Sequence, residues 1–174
     1  MFQITNIKLS LKLQSVSLDS VENFCEKKKI YFKTYPNFIV IKTKYSYILF
    51  KENNQNINHL NITKIPSFLD IEDSIELFAK IINSKRHLFT QKTIDNITAN
   101  FSLNKTINLS YFAARYKNDY FIQYKNETFS GLCIRFLSGT ALLFHTGNVV
   151  VIGCNNTRDI KWIMKKIVQL TSVL

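Results

Sequence analysis

The residues able to do covalent or acid–base chemistry in this chain are few and scattered. His59, His87 and His145 stand alone, without metal-ligand spacing such as HExxH. Cys25, Cys133 and Cys154 are odd in number and show no CxxC spacing. They sit within apolar patterns, as free buried thiols in a reducing compartment would. There is no glycine-rich phosphate loop and no GxSxG elbow. Asp70, Glu72, Asp73 and Glu76 do cluster, but at the start of an amphipathic helix, where carboxylates complement the dipole. An enzyme is therefore not expected, nor a metal, a cofactor or a small-molecule substrate.

What the chain has in quantity is cations and flat apolar side chains. Its 174 residues carry a net charge of +11, with 14 Phe and 8 Tyr, and the pI is near 9.6. Such a balance suits a polyanion: nucleic acid first, an acidic protein or membrane surface second. No signal-peptide core opens the sequence, and no apolar run reaches the roughly 18 residues of a membrane span. An intracellular protein is expected. Abundant Asn, Lys, Ile, Phe and Tyr with scarce Gly and Pro points to an AT-rich genome.

These side chains need elements to hold them, and the clearest lie between Asn126 and Gly153, which holds all 4 glycines of the chain. Short apolar runs there predict three antiparallel strands, Phe129–Leu137, Ala141–His145 and Asn148–Ile152, with hairpin turns at Gly139 and Thr146-Gly147. Alternation puts Phe129, Gly131, Cys133 and Arg135 on one face of the first strand. Leu142 and Phe144 share a face of the second strand, as do Val150 and Ile152 of the third. Both faces are thus largely apolar. A strand buried on both sides would leave Arg135 as an unpaired buried charge. The pattern instead fits helices on one face and a flat, hydrophobic, Arg-edged ligand surface on the other.

From the N-terminus, Asn6 to Leu13 alternates as a half-buried strand. Ser17 caps a helix to about Lys29, and Tyr35-Pro36-Asn37 is a turn. Strands at 38–44 and 46–50 follow, with Phe38, Val40, Lys42 and Lys44 on one face and Ile48 beside Phe50. A poorly patterned strand comes near 57–63. Pro66 and Ser67 open a helix to about Asn83, and Ser84 to Lys92 reads as a basic linker. The order then begins again about ninety residues on. Ile94-Asp95-Asn96-Ile97 echoes Ile4-Thr5-Asn6-Ile7, helices are expected at 108–117 and 157–170, and a polar turn at Lys125-Asn126-Glu127 leads into Phe129. The expected fold is α+β. Two pseudo-symmetric halves, 1–90 and 91–174, form one curved antiparallel sheet of about ten strands, with four helices on its convex side.

On these residues the chain resembles the TATA-box-binding protein core, over both halves and nearly its whole length. Asn6-Ile7 and Asn96-Ile97 match the Asn-Ile pair opening each repeat of that family. TFSGLCIRF, from Thr128, is similar to the family's LFPGLIYRM, and LLFHTGNVVVIG to its LIFVSGKVVLTG. The resemblance implies a minor-groove-bending transcription initiation factor. Phe38 and Phe50, and Phe129 and Phe144, would be the wedges that kink a duplex, and Arg135 a phosphate contact. Asn6 and Asn96 would donate to base edges, across a floor that includes Ile48, Thr98, Leu142, Val150 and Ile152. Lys8, Lys42 and Lys44 would neutralise phosphates. The expected partners are AT-rich double-stranded DNA and general transcription factors, including a transcription factor B-like protein at Glu127 and the RNA polymerase machinery. The expected location is the nucleus, or the site of viral transcription for a virus-encoded chain.

Departures from the family pattern also carry expectations. The family's groove-packing Val is Lys8 in the first half and Thr98 in the second. Its base-reading Thr is Ile152, and Lys125 replaces an acidic partner contact. The first half shows no recognisable Gly-Lys-x-Val-x-Thr-Gly strand. Relaxed sequence specificity is therefore expected. The alternative is a module of the same fold that binds proteins and has lost DNA binding.

Overall fold

The computed structural model describes residues 1–83 and 89–172. Seven elements occur in one order and then again in the same order. The first run is β1 (Gln3–Ser17), α1 (Leu18–Lys27), β2 (Tyr31–Thr34), β3 (Phe38–Lys42), β4 (Ser46–Lys51), β5 (Asn56–Ile65) and α2 (Asp70–Ile81). The second is β6 (Phe89–Ser102), α3 (Leu109–Tyr116), β7 (Phe121–Gln123), β8 (Gly131–Phe136), β9 (Gly139–Phe144), β10 (Asn148–Cys154) and α4 (Thr157–Ser172). Among the described residues the 10 strands form one open antiparallel sheet. The chain divides into two compact units, Asn6–Asp95 and Met1–Thr5 with Asn96–Leu174.

In the first unit the strand order is β2-β3-β4-β5-β1. Ile7, Leu9, Leu11 and Leu13 of β1 are at most 4% exposed, the consequence of strict alternation with polar residues. Ser17 ends the strand and accepts the Ser20 amide, so strand passes directly into α1. α1 packs on α2 and β2, and α2 packs on β5. The covered face of β4 is fixed by Tyr47. Its hydroxyl donates to the Ser74 carbonyl oxygen at 3.0 Å, and its ring lies 5.3 Å from Phe78 of α2. The opposite face carries Phe38, Val40, Ile48 and Phe50, all half-buried.

In the second unit the order is β6-β10-β9-β8-β7. Leu132, Ile134, Ala141, Leu143, Val149 and Val151 are fully buried, with α4 packed on β9 and β10 and α3 on β7 and β8. Asn156 accepts the Asp159 amide at 2.9 Å and so caps α4. Gly147 closes the β9–β10 turn at φ +80°, and a Cβ there would lie 2.0 Å from the Lys105 carbonyl oxygen. Only glycine meets both conditions.

Several boundaries differ from the sequence-based expectation. α2 begins at Asp70 rather than at Pro66, because Ser67 donates to the Asp70 carboxylate at 2.6 Å within the preceding turn. β2 and β7, with 4 and 3 residues, had no periodicity long enough to register. Of the expected linker Ser84–Lys92, Phe89 to Lys92 already belongs to β6, and Ser84 to Leu88, with His87, lies outside the described residues.

Candidate nucleic-acid interface

Strand pairing fixes which side chains share the open face of each unit. In the first unit one row runs Val40, Ile48, Asn61, Ser10, and the next runs Lys42, Ser46, Thr63. The second unit has rows at the same strand positions: Cys133, Leu142, Val150, Asn100, then Arg135, Thr140, Ile152. Lys42 and Arg135 are therefore counterparts, as are Ile48 and Leu142. Thr63 stands where Ile152 stands. The strand that the first half's sequence did not reveal is β5, which carries Thr63-Lys64 just before its last residue where β10 carries Ile152-Gly153.

That equivalence extends to the backbone. Lys64 and Gly153 both have positive φ, 63° and 84°, at a register shift in their strands. Each donates its amide to an asparagine Oδ1, Lys64 to Asn6 and Gly153 to Asn96, both at 2.7 Å. With Oδ1 occupied, each carboxamide is oriented and its Nδ2 is the group left to donate. Asn96 Nδ2 lies 3.5 Å from Thr98 Oγ1, at the limit of a hydrogen bond. The bulges that aim both asparagines left no signal in the sequence.

A cation sits at the outer edge of each face, on an aromatic ring of the edge strand. Lys42 Nζ lies 5.4 Å from the centre of Tyr31, its partner on β2. The Arg135 guanidinium lies 5.1 Å from Phe121, its partner on β7. Tyr31 and Phe121 are 57% and 55% exposed, so the stacks keep the charges at the surface and restrict their rotamers. Neither aromatic drew notice in the sequence, because neither edge strand did.

The aromatic ends differ between units. In the second, Phe129 precedes β8, is 43% exposed and meets Phe144 edge-on at 5.8 Å. Both rings lie over Gly131, whose absent Cβ would stand 2.7 Å from Phe129 and 3.0 Å from Phe144. In the first, Phe38 pairs with Phe50 as Gly131 pairs with Phe144. Phe38 thus occupies the place of Gly131, not of Phe129. Tyr35 stacks on it at 4.6 Å, while Phe50 lies 6.3 Å from Phe38 and 5.6 Å from His59. Matching Phe38 to Phe129 by turn spacing was off by two positions.

Two lysines are engaged elsewhere. Lys44 reaches Asp70 at 3.3 Å and Asp73 at 3.0 Å, at the start of α2 and so toward the helices, which removes it from the open face. The alternation that joined it to Lys42 stops at the β3–β4 turn. Asp73 is held below the usual carboxylate range by the Tyr45 hydroxyl and Lys44, and Asp70 by the Ser67 hydroxyl and Lys44. Lys8 remains on the open face but pairs with Asp95 at 3.1 Å. Glu127 is exposed in the turn before Phe129.

Residues 91–172 match the family model of transcription factor TFIID, or TATA-binding protein. That match takes in just under half of the chain. The whole chain has that family's fold: it superposes on the TATA-binding protein of Methanococcus jannaschii with a TM-score of 0.80, covering 99% of each chain at 22% identity. No curated protein matches the sequence. The family match falls on the second unit, where the paired rings, the bulge glycine and the stacked arginine all stand. In the TATA-binding-protein-like first unit, Lys64 replaces the bulge glycine and Phe38 the glycine beneath the rings.

Proposed function

We propose that this TATA-binding-protein-like chain binds AT-rich duplex DNA through the open sheet face, bends it from the minor groove and serves in transcription initiation without catalysing a reaction. The observation that carries the reading is the face itself. Each unit presents an apolar floor, half-buried aromatics at one side and a ring-stacked cation at the other. A ring driven into a base step costs a few kcal/mol of unstacking, and bending adds about 1–6 kcal/mol. A broad apolar contact can offset these terms, and phosphate contacts by Lys42 and Arg135 add to it. Asn6 and Asn96, with Oδ1 engaged, present donors suited to the acceptors that A·T and T·A share in the minor groove.

With Ile152 apolar and Lys8 tied to Asp95, base-edge reading is sparse, and preference follows AT-richness and deformability more than a unique order. The repeated element order supports an origin by duplication, with halves near 1–90 and 91–174. Exposed Glu127 supports an altered contact with a transcription factor B-like partner, and such a role places the protein in the nucleus or at a site of viral transcription. The test is a mobility-shift series with TATA and scrambled AT-rich duplexes, joined to end-to-end energy transfer for the bend. Arg135→Ala should weaken all duplexes alike and flatten the salt slope by about one. Binding without bending would overturn the reading in favour of a protein-interaction module.

A further inference from the structure

We propose that the first unit carries a subsite for the 2-amino group of guanine, so that one stretch of the bound duplex favours a G·C pair. This rests on the duplex-binding reading above. Ser10 Oγ lies 2.7 Å from Asn61 Oδ1 and also contacts Asp95 Oδ2. Lys8 Nζ is 3.1 Å from the same Asp95 oxygen, and His59 Nε2 is 3.2 Å from Asn61 Oδ1. Ser10 and Lys8 alternate with fully buried Ile7 and Leu9, so the cluster is on the open face. It borders a polar pocket of about 260 Å³ lined by Ser10, Lys12, His59, Gln91, Thr93 and Asp95.

The cluster is rich in acceptors. The Ser10 hydroxyl has one proton for two neighbouring oxygens, and the carboxylate accepts only. A·T and T·A pairs show only acceptors in the minor groove, so they meet the Asp95 carboxylate acceptor to acceptor, with the Lys8 ammonium held on that carboxylate. G·C adds the guanine N2 donor, which the Asp95 carboxylate can receive, while buried Asn61, its Oδ1 already bonded to Ser10 and His59, holds Ser10 in place. At the same strand positions the second unit has Val150 in place of Asn61, and Val150 has no acceptor to offer there.

The experiment scans an AT-rich duplex with single G·C and inosine·C replacements, read by anisotropy. Inosine lacks only the 2-amino group, so the two series differ by that donor alone. Wild type should bind G·C about 5- to 10-fold more tightly than inosine·C at one or two adjacent positions. Asp95→Ala and Asn61→Val should each reduce that ratio toward one, and Asp95→Ala should bind the all-A·T duplex more tightly. Thermal melts confirm that both variants fold. Wild type indifferent to the 2-amino group, while still binding and bending the A·T duplex, would overturn the subsite and leave the DNA reading intact. A ratio that persists in both variants would also overturn it. No binding to any duplex would remove both readings.

Discussion

Gly131→Ala is the sharpest test of the ring pair. Gly131 needs no left-handed backbone, so its importance lies in space. A new Cβ would stand 2.7 Å from Phe129 Cε1, 3.0 Å from its Cζ and 3.0 Å from Phe144 Cε1. Ordinary carbon contacts are about 3.5–4.0 Å, so both rings must move by roughly 0.5–1 Å. Phe129 is 43% exposed and can swing outward, which keeps the cost to folding below about 1 kcal/mol. DNA should feel the change more. A wedge displaced by that much no longer recovers the unstacking it causes, and a loss of about 1–2 kcal/mol is expected, or roughly 5- to 30-fold in affinity. The bend should fall with it. Urea melts, anisotropy and energy transfer on a doubly labelled duplex measure the three quantities. Wild-type affinity and bend in a folded Gly131→Ala protein would refute the wedge geometry, and a melt lowered by more than about 2 kcal/mol would show the rings to be locked rather than mobile.

Gly147→Ala should act on stability instead. It combines a φ of +80° with a backbone oxygen 2.0 Å away, so a loss of about 2–4 kcal/mol is expected in urea melts. Acid should release the Lys44 cluster. Asp70 and Asp73 are depressed in the folded protein, so their stabilisation is present above the ordinary carboxylate pKa near 4 and is lost as pH falls through their lower folded values. Lys44→Met should therefore lower stability at neutral pH, flatten the acid limb of a stability–pH curve and change little once both carboxylates are protonated. Thiol labelling at pH 8 should find Cys133 alone. Burial, with Glu22 adding to it, pushes the fully buried Cys25 up to about 11, and burial also raises Cys154. A bound duplex should protect Cys133, which shares its row with Leu142, and equal labelling with and without DNA would place the duplex elsewhere.

The helices and covered strands were legible because their signal is local and periodic. Ile7, Leu9 and Leu11 alternate, and the stripes of α2 and α4 recur at helical spacing. What was hidden depends on pairing between distant segments. β5 reads Asn-Ile-Asn-His-Leu-Asn, with polar residues toward the open face, and only its register against β1 and β4 identifies Thr63 with Ile152. The bulges that orient Asn6 and Asn96 are backbone events 58 and 57 residues away from those side chains. The misplaced Lys44 has the same origin. Alternation was continued through a turn, where it no longer holds, and the carboxylates of α2 lie 26 and 29 residues on.

The unequal ring clusters imply unequal kinks. In the second unit a glycine leaves room for Phe129 and Phe144 to lie together at the face. In the first, Phe38 fills that room and Tyr35 stacks on it at 4.6 Å. By register Pro36 stands where Phe129 stands, and the ring beside that place is Tyr35. It brings a hydroxyl that a base stack would desolvate, at about 1–3 kcal/mol where no partner is found. Entry must also disturb its stack on Phe38, worth about 0.5–1.5 kcal/mol. The first unit's kink should therefore be shallower than the second's. Tyr35→Phe removes the desolvation and should raise affinity about 3- to 10-fold with a larger bend, while Tyr35→Ala should lower both. Phe38→Ala, which removes the platform beneath, should resemble Tyr35→Ala. If Tyr35→Ala instead bends DNA as wild type does while Phe38→Ala does not, the inserted ring is Phe38, and strand position has misassigned the wedge.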